Sequence, residues 1–223
     1  MSREGILNSI RRSLAVTGEE ESRLKIVAER IRSHRPNLVP ERGKGDGAHR
    51  LALFTEMAEE VNATVQRLAS LAELPSAVQA FLRAHNLPHA IRHGADPLIE
   101  NLPWQHDAPT LERRRGRAVL ADEVSLSRAF AGVAETGTLI MHSGPDNPTT
   151  LNFLPDSHIV ILSAEDVAGS YEEVWDRLRR KFGEGNLPRT VNMITGPSRT
   201  GDVEQTIELG AHGPRRLHIM IVD

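Results

Sequence analysis

Between residues 63 and 93 the spacing of apolar side chains changes period twice, and this constrains the fold more than any other stretch of the chain. "ATVQRL" (63–68) alternates as a short strand does. "LPSAVQAFLRAHN" (74–86) instead puts Val78, Phe81 and Leu82 on one helical face, with Ser76 as the expected N-cap after a proline. "HAIRH" (89–93) reads as a second strand. A strand, a helix and a strand of these lengths form a βαβ unit, which requires parallel strands and a right-handed crossover.

The rest of the chain extends that pattern. Leu51, Phe54, Met57, Ala58 and Val61 suit a helix ahead of the first strand. Residues 117–143 read as strand, short helix and strand, and "HIVILSAEDV" (158–167) is a β-branched strand. "SYEEVWDRLRRKFG" (170–183) is a helix ending at Gly183, and "TVNMITG" (190–196) and "RLHIMIVD" (216–223) are further strands. The expected fold class is therefore α/β: a mostly parallel open sheet flanked by helices.

Ahead of it, Ile6, Leu7, Ile10 and Leu14 mark one face of a short amphipathic helix, and Leu24, Val27 and Ile31 mark another. "RPNLVPERGKGDGAHR" (35–50) is rich in proline, glycine and charge and reads as a linker. The expected division is an N-terminal helical extension and linker over 1–50 and the α/β domain over 51–223. Arg113, Arg114, Arg115 and Arg117 read as a solvated helix end in preference to a phosphate site.

Composition narrows the function. A formal net charge of -3 over 223 residues gives no reason to expect nucleic acid or an anionic membrane as a partner. The sequence has no cysteine, so it supplies no disulfide, no catalytic thiol and no thiolate for an iron–sulfur cluster. "MSREGILNSIRRSL" lacks the apolar stretch of a signal peptide, and no run approaches transmembrane length. No membrane insertion and a cytoplasmic location are expected. Neither GxGxxG nor GxxxxGK[ST] occurs. His85, His89 and His93 fall on a helix end and a strand instead of one helical face, so no metal site is expected.

Two polar, glycine-punctuated turns stand out as candidates. In "AETGTLIM" (134–141), Glu135 sits at a strand mouth beside Thr136, Gly137 and Thr138. A carboxylate there can act as nucleophile, as general acid or base, or as a ligand for a substrate hydroxyl, and glycine would admit an oxyanion close to the backbone. Equally, Glu135 can cap backbone N–H groups. In "ITGPSRTGDVE" (194–204), a strand ends at Gly196, Ser198 and Thr200 offer hydroxyls, and Arg199 offers a fork that grips a carboxylate or phosphate. The alternative there is a helix cap, with Arg199 paired to Asp202 or Glu204. His212, between small residues in "LGAHGP" (209–214), can move a proton or be satisfied by the backbone. Ligands in such sheets bind beyond the carboxyl ends of strands, which favours a cleft shared by the two turns.

"AETGTLIM", "LPDSHIVIL", "GPSRTGDVEQTIELGAHGP", "RLHIMIVD" and the opening "REGILNSIRRSL" together resemble the LUD-domain family, in particular its lactate-utilisation protein C group. The likeness is strongest from about 118 to 223, departs from the family's pattern at "VSLSRAFAGVAETG", and shows no family feature over 35–50. It implies a fold like that of the CoA-transferase, ribose-5-phosphate isomerase and glucosamine-6-phosphate deaminase group. It also implies a part in oxidising L-lactate to pyruvate, with iron–sulfur clusters carried by partner subunits and no cofactor in this chain. Family 1 CoA-transferases are similar in one further respect, a catalytic glutamate in a Glu-x-Gly turn, which Glu135-Thr136-Gly137 matches. On this reading Gly196, Ser198, Arg199 and Thr200 face Thr136, Gly137 and Thr138 across a cleft for a small anionic ligand. Glu135 or His212 would carry the proton. The alternatives are a non-catalytic scaffold, or a stand-alone acyl-CoA- or phosphosugar-directed enzyme that uses Glu135 covalently.

Overall fold

The computed structural model describes residues 2–183, 185–201, 207–210 and 212–223. They form two compact units, 1–38 and 39–223. The first holds α1 (Arg3–Ser13), whose N-cap Ser2 accepts from the Gly5 N–H, and α2 (Glu21–Ser33). The second unit starts earlier than the expected domain boundary. A 3-10 turn at Glu41–Gly43 belongs to it, because Gly43 is buried against Gly169 so closely that a Cβ would lie 2.4 Å from the Gly169 carbonyl oxygen. Then follows α3 (Gly47–Glu60), capped by Asp46 through the His49 N–H at 2.8 Å.

From there the order is β1 (Thr64–Leu68), α4 (Leu74–Ala84), β2 (Ala90–His93), α5 (Pro97–Glu100), α6 (Trp104–Asp107), β3 (Glu112–Arg115), β4 (Val124–Arg128), β5 (Ala131–Val133), β6 (Thr138–His142), β7 (Ser157–Ser163), β8 (Val167–Ala168), α7 (Tyr171–Phe182), β9 (Val191–Ile194), β10 (Arg199–Gly201), β11 (Ile207–Leu209) and β12 (Arg216–Val222). The six strands β1, β12, β7, β4, β2 and β3, in that order, form an entirely parallel sheet. A smaller sheet runs β8-β5-β6-β9, with β6 antiparallel to both neighbours, and β10 and β11 pair as a ribbon.

Alternation along the central strands explains why both faces of the large sheet are covered. On β7, Ile159 and Ile161 join Val78, Phe81, Leu82 and Trp104 under α4 and α6. Val160 and Leu162 point the other way, toward Phe54 and Ala58 of α3 and Leu139 and Met141 of β6. β12 divides in the same way, Met220 and Val222 against Ile219 and Ile221. Strands buried on both faces read as continuous apolar runs, as "HIVIL" and "HIMIV" do. A further cluster seats Val174 and Leu178 of α7 on Val133 and Ile140 of the small sheet.

Three local expectations are corrected. Ser76 is not the cap of α4: the helix begins at Leu74, with Pro75 in its first turn, so Ser76 is already inside. Arg113–Arg115 belong to β3, the outer strand of the sheet, where charged side chains face water and discourage further pairing. No short helix lies within 117–143; β5 and β6 are instead the two arms of a hairpin joined by the Glu135–Gly137 turn.

Candidate functional site

The two turns that the sequence singles out do meet, but they meet as structure. Their strands pair, Leu139 opposite Ile194, and Thr138 Oγ1 lies 2.7 Å from Thr195 Oγ1. Thr136 Oγ1 and Thr138 Oγ1 are 2.7 Å apart, and each reaches the Tyr171 hydroxyl, at 3.0 and 2.8 Å. These hydroxyls satisfy one another. Glu135 is 5% exposed, and its carboxylate accepts from the Tyr171 N–H at 3.0 Å, at the first turn of α7. That position complements the positive end of the helix dipole.

The turn glycines admit a helix, where the sequence suggested a ligand. Gly137 has φ +63°, and a Cβ on it would lie 2.3 Å from the Ala58 backbone nitrogen. Gly196 has φ +71°, and its Cβ would lie 2.4 Å from the Val61 carbonyl oxygen. Both turns are therefore clamped on α3 and its C-terminal residue. Arg199 is exposed and faces the same helix end: in the amide orientation that satisfies both groups, the Asn62 side-chain oxygen accepts from its guanidinium. Ser198 holds the 210–214 loop: its N–H donates to the Pro214 carbonyl at 2.8 Å, its carbonyl accepts from Gly210 at 3.0 Å, and its hydroxyl accepts from the His212 N–H at 3.3 Å. His212 is exposed at that loop. The Thr200 side chain, Asp202 and Glu204 lie outside the described residues.

A different cluster occupies the position that ligands favour in parallel sheets. Beyond the carboxyl ends of β2, β4 and β7, a cleft of about 200 Å³ is lined by Asp96, Arg128, Phe130, His142, Asp166 and Lys181, together with Asp146 and the buried Asn147. Asp96 is buried and works twice: it caps α5 through the Leu98 N–H at 2.9 Å and fixes Arg128 Nε at 2.8 Å. Lys181, in the last turn of α7, has its Nζ 5.0 Å from the Phe130 ring centre and 3.2 Å from His142 Nε2. With the ammonium donating, the imidazole proton sits on Nδ1. Among the described residues no carboxylate is paired with Lys181.

Two groups here are displaced from their ordinary titration. Burial, reinforced by the Lys181 charge, lowers the His142 pKa, so the ring stays neutral. Burial raises the Asp166 carboxyl, against the opposing charge of Arg177. A base and an acid moved by their surroundings, beside an ammonium that no carboxylate pairs with among the described residues, can bind a small anion and exchange its proton. Sequence reasoning missed this set because its members come from separate segments. The one available signal was position: Arg128 closes "VSLSR", and Asp166 follows "SHIVILS" at a strand's carboxyl end.

The LUD-domain family description matches residues 51–222. The chain belongs to the LUD-domain family. The matched LUD-domain span contains the whole cleft and both turns. Over 144 residues the chain is 33% identical to an uncharacterized protein of Neisseria meningitidis serogroup B, covering 61% of this chain and 59% of that one. It is 29% identical over 122 residues to lactate utilization protein C of Bacillus subtilis (54% and 50% covered), and 30% over 107 residues to that of Shouchella clausii (48% and 46%). The chain thus spans about half the length of the curated relatives it matches. A crystal structure of a DUF162 family protein from Deinococcus radiodurans shares the fold, with a TM-score of 0.61 at 22% identity over 81% of this LUD-domain chain and 100% of that one. Among the described residues, no helix is long and apolar enough to cross a membrane.

Proposed function

We propose that this LUD-domain protein is a substrate-handling component of a lactate-utilisation system, and that its cleft holds a small 2-hydroxy- or 2-oxocarboxylate. The observation that carries the reading is Lys181 beside neutral His142, in a cleft of about 200 Å³ at the carboxyl ends of the parallel strands. That volume is below the usual range for drug-sized ligands and suits a molecule of a few heavy atoms. The names of the relatives supply the substrate class. A carboxylate engaging the Lys181 ammonium would free His142 Nε2 to accept the hydroxyl proton, and Asp166 would relay it. Oxidation of lactate to pyruvate also breaks the C2–H bond, so besides the hydroxyl proton it releases a second proton and two electrons to an acceptor outside this chain. With no cysteine in the sequence, the electrons would pass to partner subunits that carry iron–sulfur clusters.

Calorimetric titration with L-lactate and with pyruvate tests the cleft. Lys181→Met should weaken binding about tenfold or more, the loss of a charge-assisted contact, while Glu135→Gln should bind as the wild type does. Equal binding by wild type and Lys181→Met would remove the cleft from this reading.

A second reading, a non-catalytic scaffold, is favoured by one observation: α1 and its C-cap expose Ile6, Ile10 and Leu14 at 47%, 48% and 61%. Under it, Ile10→Asp abolishes co-purification of iron–sulfur partners, and cleft variants still support growth on lactate. The acyl-transfer reading has nothing in the geometry to favour it, since the Glu135 carboxylate is buried and engaged in capping α7.

A further inference from the structure

Away from the cleft, at the amino ends of β7 and β12 and the carboxyl end of β9, lies a cavity of about 250 Å³. Asn152, Phe153, His158, Met193, Leu217 and the Ser198–Pro214 loop contact define it. Among the described residues its lining carries no Asp, Glu, Lys or Arg, and it mixes apolar side chains with the polar Thr195, Ser198 and His212. Two polar side chains nonetheless line it from deep inside, Asn152 and His158, each 1% exposed. Among the described residues neither the oxygen nor the nitrogen of the Asn152 amide has a partner, and His158 Nδ1 has none either. His158 Nε2 is already engaged with Ser127 Oγ.

Buried amides left without partners are rare in folded proteins, because each forfeits its hydration for nothing. Three such atoms belong to two side chains of this lining, and they call for a partner that the described residues do not supply: an acceptor beside a donor on Asn152, and one further hydrogen-bonding atom on His158. A charged ligand matches less well, since no Asp, Glu, Lys or Arg among the described lining residues would replace its lost water. Complete burial also holds the His158 ring neutral, with its pKa pushed down to about 3. Phe153, 42% exposed at the wall, offers a face for stacking.

We propose that this cavity binds one uncharged, planar mono- or bicyclic heteroaromatic ring through an amide or amidine edge that pairs with Asn152, with His158 contacting a second ring atom. The ring is either free or part of a nucleoside or nucleotide whose sugar would leave by the Phe153–Met193 mouth. The site is separate from the carboxylate cleft and does not rest on the lactate reading.

The experiment is ligand-observed NMR and calorimetry on the full chain with uracil, nicotinamide, adenosine, inosine and AMP, with toluene as an apolar control. Wild type should bind at least one ring probe, and Asn152→Leu should lose about tenfold or more in affinity for it. Asn152→Leu should also melt no lower than wild type, having no hydrogen bond to lose. Met193→Trp, a partly exposed position, fills the cavity from its mouth and should abolish binding with the fold intact. Stronger binding of adenosine than AMP would identify the free nucleoside as the source; the reverse would identify the nucleotide. Failure of every ring probe to bind wild type overturns the proposal, as does unchanged binding by Asn152→Leu or toluene competing as well as the rings. L-lactate binding through Lys181 is unaffected by each of these outcomes.

Discussion

The Glu135–Thr138 and Thr195–Ser198 turns and the cleft at the ends of β4 and β7 are about equally polar, yet they are built oppositely. In the turns the described polar atoms find partners nearby: hydroxyl on hydroxyl, carboxylate on a helix N–H, glycine against the α3 backbone. In the cleft Asp96 holds Arg128, but Lys181 meets a neutral imidazole in place of a carboxylate among the described residues, with His142 lowered and Asp166 raised from their ordinary values. A dense run of polar residues thus marks a place where the chain must satisfy itself. A ligand site is marked instead by groups the fold positions and leaves unmatched.

The sharpest way to break that comparison is to add one carbon to the turn. Gly137→Ala places a methyl 2.3 Å from the Ala58 nitrogen on a residue with φ +63°. Overpacking and left-handed strain together should cost about 3 kcal/mol or more in chemical denaturation. Gly196→Ala should behave alike, since its added carbon meets the Val61 carbonyl oxygen at 2.4 Å. A loss below about 1 kcal/mol would show that α3 is not clamped there, and would reopen the turn to a ligand.

That clamp also shows what the sequence can and cannot reveal. The apolar runs of β7 and β12 and the face of α4 are local patterns, so the parallel α/β fold was legible from them. So was family membership, from the order of several motifs. The reason for Gly137 was not, because its partner Ala58 lies far away in sequence and approaches only after the sheet and α3 pack. Arg113–Arg115 misled for a related reason: a charged run looks alike on a helix end and on an edge strand, and only strand order distinguishes them. Asp96, Arg128, His142, Asp166 and Lys181 sit on five separate segments, with no spacing to betray them.

Histidines extend the contrast into pH. His158 is wholly buried and has its pKa pushed down to about 3, while His218, packed on Phe81 at 4.4 Å, is lowered to about 4; burial is the main cause in both. The unfolded chain takes up protons near the ordinary value of 6.5, and the folded chain does not. Stability is therefore full above about pH 6.5 and declines as pH falls toward 4 and then 3, by about 1.4 kcal/mol per pH unit for each histidine. In denaturation series between pH 6.5 and 4.5, His158→Asn should reduce that slope by about one histidine's share. An unchanged slope would mean that His158 accepts a proton without unfolding.

Glu135 separates capping from catalysis more finely. Glu135→Ala removes the acceptor for the Tyr171 N–H and should cost about 1–2 kcal/mol, while Glu135→Gln keeps an acceptor and should cost about half that or less. Both should leave the carboxylate affinity of the cleft intact. If Glu135→Gln instead keeps full stability and abolishes ligand binding or turnover, the turn is the chemical site after all.

The smallest stability effect belongs where the functional effect should be largest. Lys181→Met removes a cation lying over Phe130 and Phe182 and replaces it with an apolar chain of similar length, so the net change should be within about 0.5 kcal/mol. His142 reports the difference directly. Its pKa is lowered first by burial and then by Lys181, so removing the ammonium should move it part of the way back toward 6.5, while burial keeps it below. An NMR titration of the His142 ring reads that shift without any ligand present. A ring that titrates identically in both proteins would show that Lys181 does not poise it, and the cleft would lose its claim to be more than another satisfied surface.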